Sequence, residues 1–356
     1  MQVAIEEMLE TIVSAINAKC FIERHKRKAT DFKRERKLSF GEIVNFVIGN
    51  LGTSMDFEVL HFCNGRDTTV TPAAISKARD KIKYTAFEEL LKMSSAKSPV
   101  THTYRGYRLT AYDGMKGELP RTNELMSASS TPSEQGYPQF HAIAEYDVLN
   151  CCYTGAIFNL GTTDERKAAI ELLENHTYEG DEIFLLDRGF PSLKMIQQLE
   201  NSGKKYVMRV SKSFLKEVNE FGKSSATDEV IQITYDKRRG ATNRVEGVQL
   251  PYIFSVRCVK IELSGGGAEL LLTNLDKVEF SKKDIGELYN LRWKIETGFL
   301  NLKYAVCIED FMGVKENSIK QEFFASLIKS NIYMLFVEAA NEIIYNKKNR
   351  LSTNTR

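Results

Sequence analysis

Soft metal ligands are few and badly spaced in this chain of 356 residues. Its six cysteines (Cys20, Cys63, Cys151, Cys152, Cys258 and Cys307) contain no CxxC pair, and none of its five histidines stands at a zinc-binding spacing from them. Reduced, mostly buried thiols are the expected state. Proline is scarce, at seven, and no proline-rich linker, internal repeat or low-complexity tract divides the chain. No unbroken run of about 18 apolar residues is present, which argues against a membrane-spanning helix and a membrane partner. The opening MQVAIEEMLETIV has acids where a secretory signal would carry a basic start, so a cytoplasmic location is expected. A large excess of one charge is missing too: the formal net charge of +2 says little about partners.

What is present is ordinary for a globular protein, with 42% hydrophobic and 27% charged residues and length for two or three domains. Charge is concentrated in one place. Between Lys19 and Lys37 nine Lys and Arg stand against Glu23, Asp31 and Glu35, a local net charge of +6 that suits a polyanion. Around this stretch residues 1–100 read as helical, with apolar residues at helical spacing from Ile5 to Ile16 and from Phe40 to Leu51. In VTPAAISKARDKIKYTAFEELL, Thr71 fits an N-cap and Pro72 a first helical residue. The helix so begun carries Lys77 and Arg79, as a small helix-turn-helix-like DNA-binding unit would. An ordinary amphipathic helix is the alternative.

The texture changes near Tyr104. YRGYRLTAYDGM reads as a strand ending at a turn, Asp113-Gly114, and FHAIAEYDVLNCCYTGAIFNLG as a hairpin. A helix with Thr163 or Asp164 as its cap follows. EIFLLDRGF is a short apolar strand ending at Asp187, and PSLKMIQQLENSG is a helix closed by Gly203. This order is that of a mixed α/β domain, placed at 101–210. Residues 211–280 are β-rich and irregular, and 281–356 return to helix.

Asp113 and Asp187 each sit where a strand meets a turn, a position that suits a rigid catalytic ligand as well as simple turn chemistry. A third feature shifts the balance. In ELYNLRWKIETGFLNLK, Tyr289, Arg292, Glu296 and Lys303 project within an arc of about 60° on a regular helix. An apolar stripe of Leu288, Leu291, Ile295, Phe299 and Leu302 lies beside them. Trp293, the only tryptophan, falls about 40° from Tyr289 on the same wheel, where packing is the plainer reading and base stacking the other.

The spacing Tyr-x2-Arg-x3-Glu-x6-Lys resembles the signature of the bacterial transposases of insertion-sequence family four. Around it YDGMKGELP, LLDRGF, RWKIE, FKRERKLSF and AISKARDKI resemble that family as well, over about residues 30–340. The resemblance implies a ribonuclease H-like mixed sheet flanked by helices, with a β-rich insertion and an all-helical N-terminal region. It implies a DDE triad of Asp113, Asp187 and Glu296 holding two Mg²⁺ (or Mn²⁺) ions per active site, Asp113 bridging both. Two such ions suit an in-line phosphodiester displacement, and carboxylates are their natural ligands. It implies Arg292 and Lys303 on phosphates with Tyr289 bonding one nearby, and leaves open whether a hairpin intermediate is used. Arg188, Arg238, Arg239 and Arg244 are further candidates for DNA contact. The expected partners are terminal inverted repeats, target DNA and a second copy of the chain, in the nucleoid. Two other readings stay open. The family commonly continues into a further C-terminal segment, so an impaired copy that binds DNA without cutting is one; a structure-specific nuclease on the same fold is the other.

Overall fold

The computed structural model describes the whole chain except residues 1, 35–36, 67–68, 130–132, 134–135, 236–251, 264 and 354–356. The N-terminal part is helical, as expected: α1 (Gln2–Asn17), α2 (Lys19–His25), α3 (Phe40–Ile48), α4 (Met55–Cys63), α5 (Pro72–Arg79) and α6 (Thr85–Ser95). Local signals set several ends. Ser39 and Glu42 form a reciprocal capping box at α3, and Thr71 caps α5 through the Ala74 N–H with Pro72 at its first position.

The strands and helices that follow are β1 (Arg108–Glu118), α7 (Asn123–Ala128), β2 (Gln139–Asp147), β3 (Cys152–Leu160), α8 (Glu165–Glu174), β4 (Glu182–Leu186), α9 (Leu193–Asn201) and β5 (Lys205–Val210). Next come α10 (Lys216–Lys223), β6 (Asp228–Tyr235), β7 (Tyr252–Glu262), β8 (Ala268–Thr273), α11 (Lys282–Leu291), α12 (Lys294–Tyr304) and α13 (Glu316–Thr353). Among the described residues the strands form one eight-stranded sheet in the order β3-β2-β1-β4-β5-β8-β7-β6. The first five are the ribonuclease H-like core. β1, β2 and β3 run antiparallel in sequence, whereas β4 lies parallel to β1 and β5 parallel to β4. The β-rich insertion is not a separate sheet: β8 pairs antiparallel with β5, so β8, β7 and β6 extend the core sheet past the edge that β5 would otherwise expose.

Helices cover both faces. Tyr112, Phe184, Leu186, Tyr206 and Met208 pack with residues of α8 and α9 in one apolar cluster. Ala111, Ile183, Leu185 and Val207 point the other way, into a cluster shared with α11–α13 and with α1, α3, α5 and α6. The N-terminal helices therefore share a core with the sheet. Contrary to the expectation from the sequence, α13 is long and apolar enough over Glu316–Tyr345 to cross a membrane by length and composition. In this fold its residues Ile319, Phe323, Phe324, Leu327 and Ile328 are buried, and the helix contacts α6, β3, α3 and α1.

Candidate active site

The register of two parallel strands brings the first two acids together. β1 pairs with β4 from Arg108↔Glu182 to Tyr112↔Leu186, and β4 stops there, so Asp113 and Asp187 are the next residue on each neighbouring strand. Asp187 ends its strand as expected, with its Oδ1 accepting the Arg188 N–H at 2.7 Å. Asp113 does not. β1 continues to Glu118 beside β2, and Asp113 pairs with Ala144 in mid-strand. The Asp-Gly dipeptide that suggests a turn is here part of a ladder, because β2 supplies hydrogen bonds after β4 has left. Strand alternation puts Asp113 on the face of Ala111, and Asp187 follows Leu185 onto the same face, the one covered by α11 and α12.

Ser281 and Asp284 start α11 with a second capping box, fixing the helix that brings Tyr289. The Tyr-Arg-Glu-Lys segment is not one continuous helix, however. At the join of α11 and α12 the amide N–H groups of Arg292, Trp293, Ile295 and Glu296 bond three residues back, to Tyr289, Asn290, Arg292 and Trp293. This tightened turn changes the helical wheel drawn from the sequence. Three of the four residues reach the acids. The Tyr289 hydroxyl donates to Asp187 Oδ1 at 2.8 Å, and Arg292 donates from Nη1 to Asp113 Oδ2 at 3.0 Å and from Nη2 to Glu296 Oε1 at 3.3 Å. Lys303 goes elsewhere, pairing with Glu309 at 3.0 Å. Trp293 is not packed in the core but 53% exposed, with the Arg292 guanidinium 5.0 Å from its ring centre. α12 lies close on the sheet at Gly298, where a Cβ would stand 2.8 Å from the Tyr153 hydroxyl and 3.0 Å from Tyr146 Cζ.

One member of the site escaped the sequence reading. Arg209 on β5 pairs with Asp187 Oδ1 at 2.7 Å and, by its other nitrogen, with Glu269 Oε1 at 2.7 Å. Two guanidinia lie near the Tyr289 ring, that of Arg209 at 5.9 Å and that of Arg292 at 5.8 Å from its centre. The only trace in the sequence is a lone arginine within the apolar strand KKYVMRV.

The surroundings shift the two aspartates in opposite directions. Burial pushes the Asp113 carboxyl up to about 6, with the charges of Asp187 and Glu296 acting the same way against the Gly114 N–H and Arg292. For Asp187 burial acts upward as well, but the Arg188 N–H, the Tyr289 hydroxyl, Arg292 and Arg209 outweigh it and hold the carboxyl below its ordinary value. Two carboxyls pushed apart in this way mark a place where charge is managed.

Among the described residues no three acids, histidines or cysteines are set to hold a metal as the side chains stand. The Arg292 guanidinium bridges Asp113 and Glu296, so their oxygens face nitrogen rather than one another. The donor set nevertheless fits a hard divalent cation. It consists of carboxylate oxygens, the ligands that Mg²⁺ and Mn²⁺ take.

The remaining candidates divide. Arg188 is exposed at the turn after Asp187. Lys77 is exposed on α5 and lines a groove with Lys33, Arg34, Lys37 and Lys81. Arg79 is a correction: it is buried at 2% exposure, paired with Glu322 of α13 at 2.6 Å and bonded to the Ser318 carbonyl at 3.1 Å, so it joins two helices and is not presented to DNA. Arg238, Arg239 and Arg244 lie outside the described residues.

The sheet order, with acids on β1, after β4 and on a helix that follows the sheet, defines the ribonuclease H-like class. Within that class the chain belongs to the transposase DDE domain family, whose model matches residues 104–332 and so includes all three acids. It is 23% identical over 279 residues to the transposase InsG of insertion sequence element IS4 from Escherichia coli, covering 75% of this chain and 61% of that protein. It is 28% identical over 268 residues to the transposase of insertion sequence element IS421 from Escherichia coli, covering 66% of this chain and 67% of the relative. These relatives agree with the family-four signature read from the motifs. A solved synaptic complex of piggyBac transposase with hairpin DNA is similar over 95% of this chain and 74% of its own, at 12% identity and a TM-score of 0.48.

Proposed function

We propose that the chain is a DNA transposase that cleaves at the ends of an insertion element and joins them to target DNA, acting on the nucleoid in the cytoplasm. The observation that carries this reading is Arg292 bonded to both Asp113 and Glu296, with Asp187 at the end of the neighbouring strand, near enough for its charge to act on Asp113. Asp113, Asp187 and Glu296 would hold two Mg²⁺ or Mn²⁺ ions, whose chemistry there is to stabilise the attacking and leaving oxygens of the phosphodiester. The chain's own part is positioning. Tyr289 and Arg209 fix the Asp187 carboxylate by bonding the same oxygen, and Glu269 holds Arg209 in place. Exposed Arg188 offers a cation to the backbone phosphates, Arg292 and Lys303 would do so on leaving their carboxylate partners, and exposed Trp293 offers a stacking face to a base. The basic groove lined by Lys77 is suited to the duplex next to the site. Terminal inverted repeats and a second copy of the chain complete the proposed assembly.

Glu296→Gln tests the reading. The variant should lose metal-dependent cleavage of a duplex carrying the element ends and keep its affinity for that duplex. Retained cleavage would overturn the assignment. Cleavage by the unaltered protein that ignores end sequence and is never followed by strand joining would instead identify a nuclease.

A further inference from the structure

We propose that Arg292 is a built-in counter-cation that couples metal loading to DNA binding: it holds Asp113 and Glu296 together until a divalent ion takes them, and then turns to a DNA phosphate. This inference rests on the transposase reading and adds a regulation to the same site.

The first support is what Arg292 touches. A residue expected to clamp phosphate points instead at the acids, 2% exposed, with one nitrogen on Asp113 and another on Glu296. Guanidinium and metal would therefore compete for the same carboxylates. The charge count also favours exchange. Four carboxylates, those of Asp113, Asp187, Glu296 and Glu269, face the two guanidinia of Arg292 and Arg209, a net charge of about −2. Two divalent ions added to that set would bring it to about +2, so one cation gains by leaving for an anion.

The second support is how loosely Arg292 is held compared with other buried arginines of the same chain. Arg257 grips Asp228 through two nitrogens at 2.8 and 2.9 Å and gives a third to the Leu275 and Asp276 carbonyls. Arg79 uses its Nε on Gln321 and a terminal nitrogen on both Glu322 and Ser318. Arg292 makes one bond of 3.0 Å to Asp113 and one of 3.3 Å to Glu296, a residue whose side chain is 42% exposed, and its own buried Nε has no hydrogen-bond partner. It also sits at the tightened turn between α11 and α12, where the backbone departs from the α-helical bonding pattern. A guanidinium carries five donors in a fixed fork, and this one is left partly unused. Arg209 also leaves its buried Nε without a partner, but its two terminal nitrogens are tied by Asp187 and Glu269 at 2.7 Å each, against 3.0 and 3.3 Å for Arg292, and it is the cation that stays.

If Arg292 exchanges one anion for another, the coupling must be reciprocal: metal strengthens DNA binding by the factor by which DNA strengthens metal binding. The test uses the full chain, with Mn²⁺ binding followed by electron paramagnetic resonance without DNA. End-duplex binding is followed by fluorescence anisotropy in Ca²⁺ and in chelator. Arg292→Ala should bind Mn²⁺ about tenfold more tightly than the unaltered protein, about 1.4 kcal/mol. It should also lose most of the extra DNA affinity that Ca²⁺ confers on the unaltered protein. Arg292→Lys, which keeps the charge without the fork, should fall between them and serves if the alanine variant does not fold. Equal or weaker Mn²⁺ binding by a folded Arg292 variant overturns the inference and leaves the transposase reading standing. Mn²⁺ binding by neither protein removes both.

Discussion

Arg79→Ala separates a structural arginine from a DNA contact. The side chain is buried with its partner, at 2% and 4% exposure, and their ion pair measures 2.6 Å. Gln321 also accepts from Arg79 and returns a bond to its carbonyl, so the contact fastens α5 to α13 over more than 240 positions of sequence. Truncation leaves the Glu322 carboxylate buried, with the Met312 N–H at 2.8 Å as its remaining hydrogen bond. Removing one partner of a buried pair costs about 3–5 kcal/mol. Unfolding entropy scales with length, and for 356 residues this energy corresponds to a fall in Tm of about 4–7 °C. Differential scanning calorimetry measures the fall, and anisotropy at several salt concentrations measures DNA binding in parallel. A phosphate contact would behave in the opposite way. Its loss leaves Tm unchanged and makes the salt dependence shallower by about one ion. That pattern would refute the structural assignment.

Two further perturbations probe the sheet. The His176 imidazole lies between Glu145, at 3.0 Å, and Glu182, at 2.8 Å; burial lowers its pKa, but the two carboxylates outweigh burial and raise it to about 9. Because the folded value exceeds the unfolded value of about 6.5, the stabilisation is complete below about pH 6.5 and is lost as pH rises through about 9. Melting curves from pH 6 to 10 should show that decline in the unaltered protein and a flatter profile in His176→Gln; parallel profiles would contradict it. Gly298→Ala would press a methyl against buried Tyr153 and Tyr146, lifting the helix that carries Glu296. It should cost about 1–3 kcal/mol and lower cleavage as well, whereas a variant with wild-type melting and cleavage would show that α12 has room to spare.

The elements that were legible in the sequence are those with local causes. The apolar run EIFLL could only be a strand buried on both faces, and Asp187 follows it directly. Thr71 and Pro72 announce α5, and Gly203 follows α9 with φ of +67°. Misreadings arose where a distant segment decided the outcome. Gly114 looks like the start of a turn, but β2, some thirty residues later, keeps that backbone in the sheet. The sequence of the insertion does not tell where its strands pair, because that is decided by the free edge of β5, which recruits β8. The helical wheel assumed a regular helix through Trp293, and no glycine or proline warns of the tightened turn there.

Charged residues were hardest to read because their role depends on a partner that sequence spacing does not reveal. Arg79 and Arg292 each sit on an amphipathic helix, and each is 2% exposed in the fold. Their environments differ in completeness. Arg79 meets a carboxylate, a carbonyl and an amide oxygen, all from one helix, and its Nε is among the donors in use. Arg292 meets two carboxylates from different elements and keeps a donor unsatisfied. Burial alone would make both structural, and charge alone would make both DNA contacts. It is the unsatisfied donor, together with acids that a divalent ion also fits, that argues for a mobile role at Arg292 and a fixed one at Arg79.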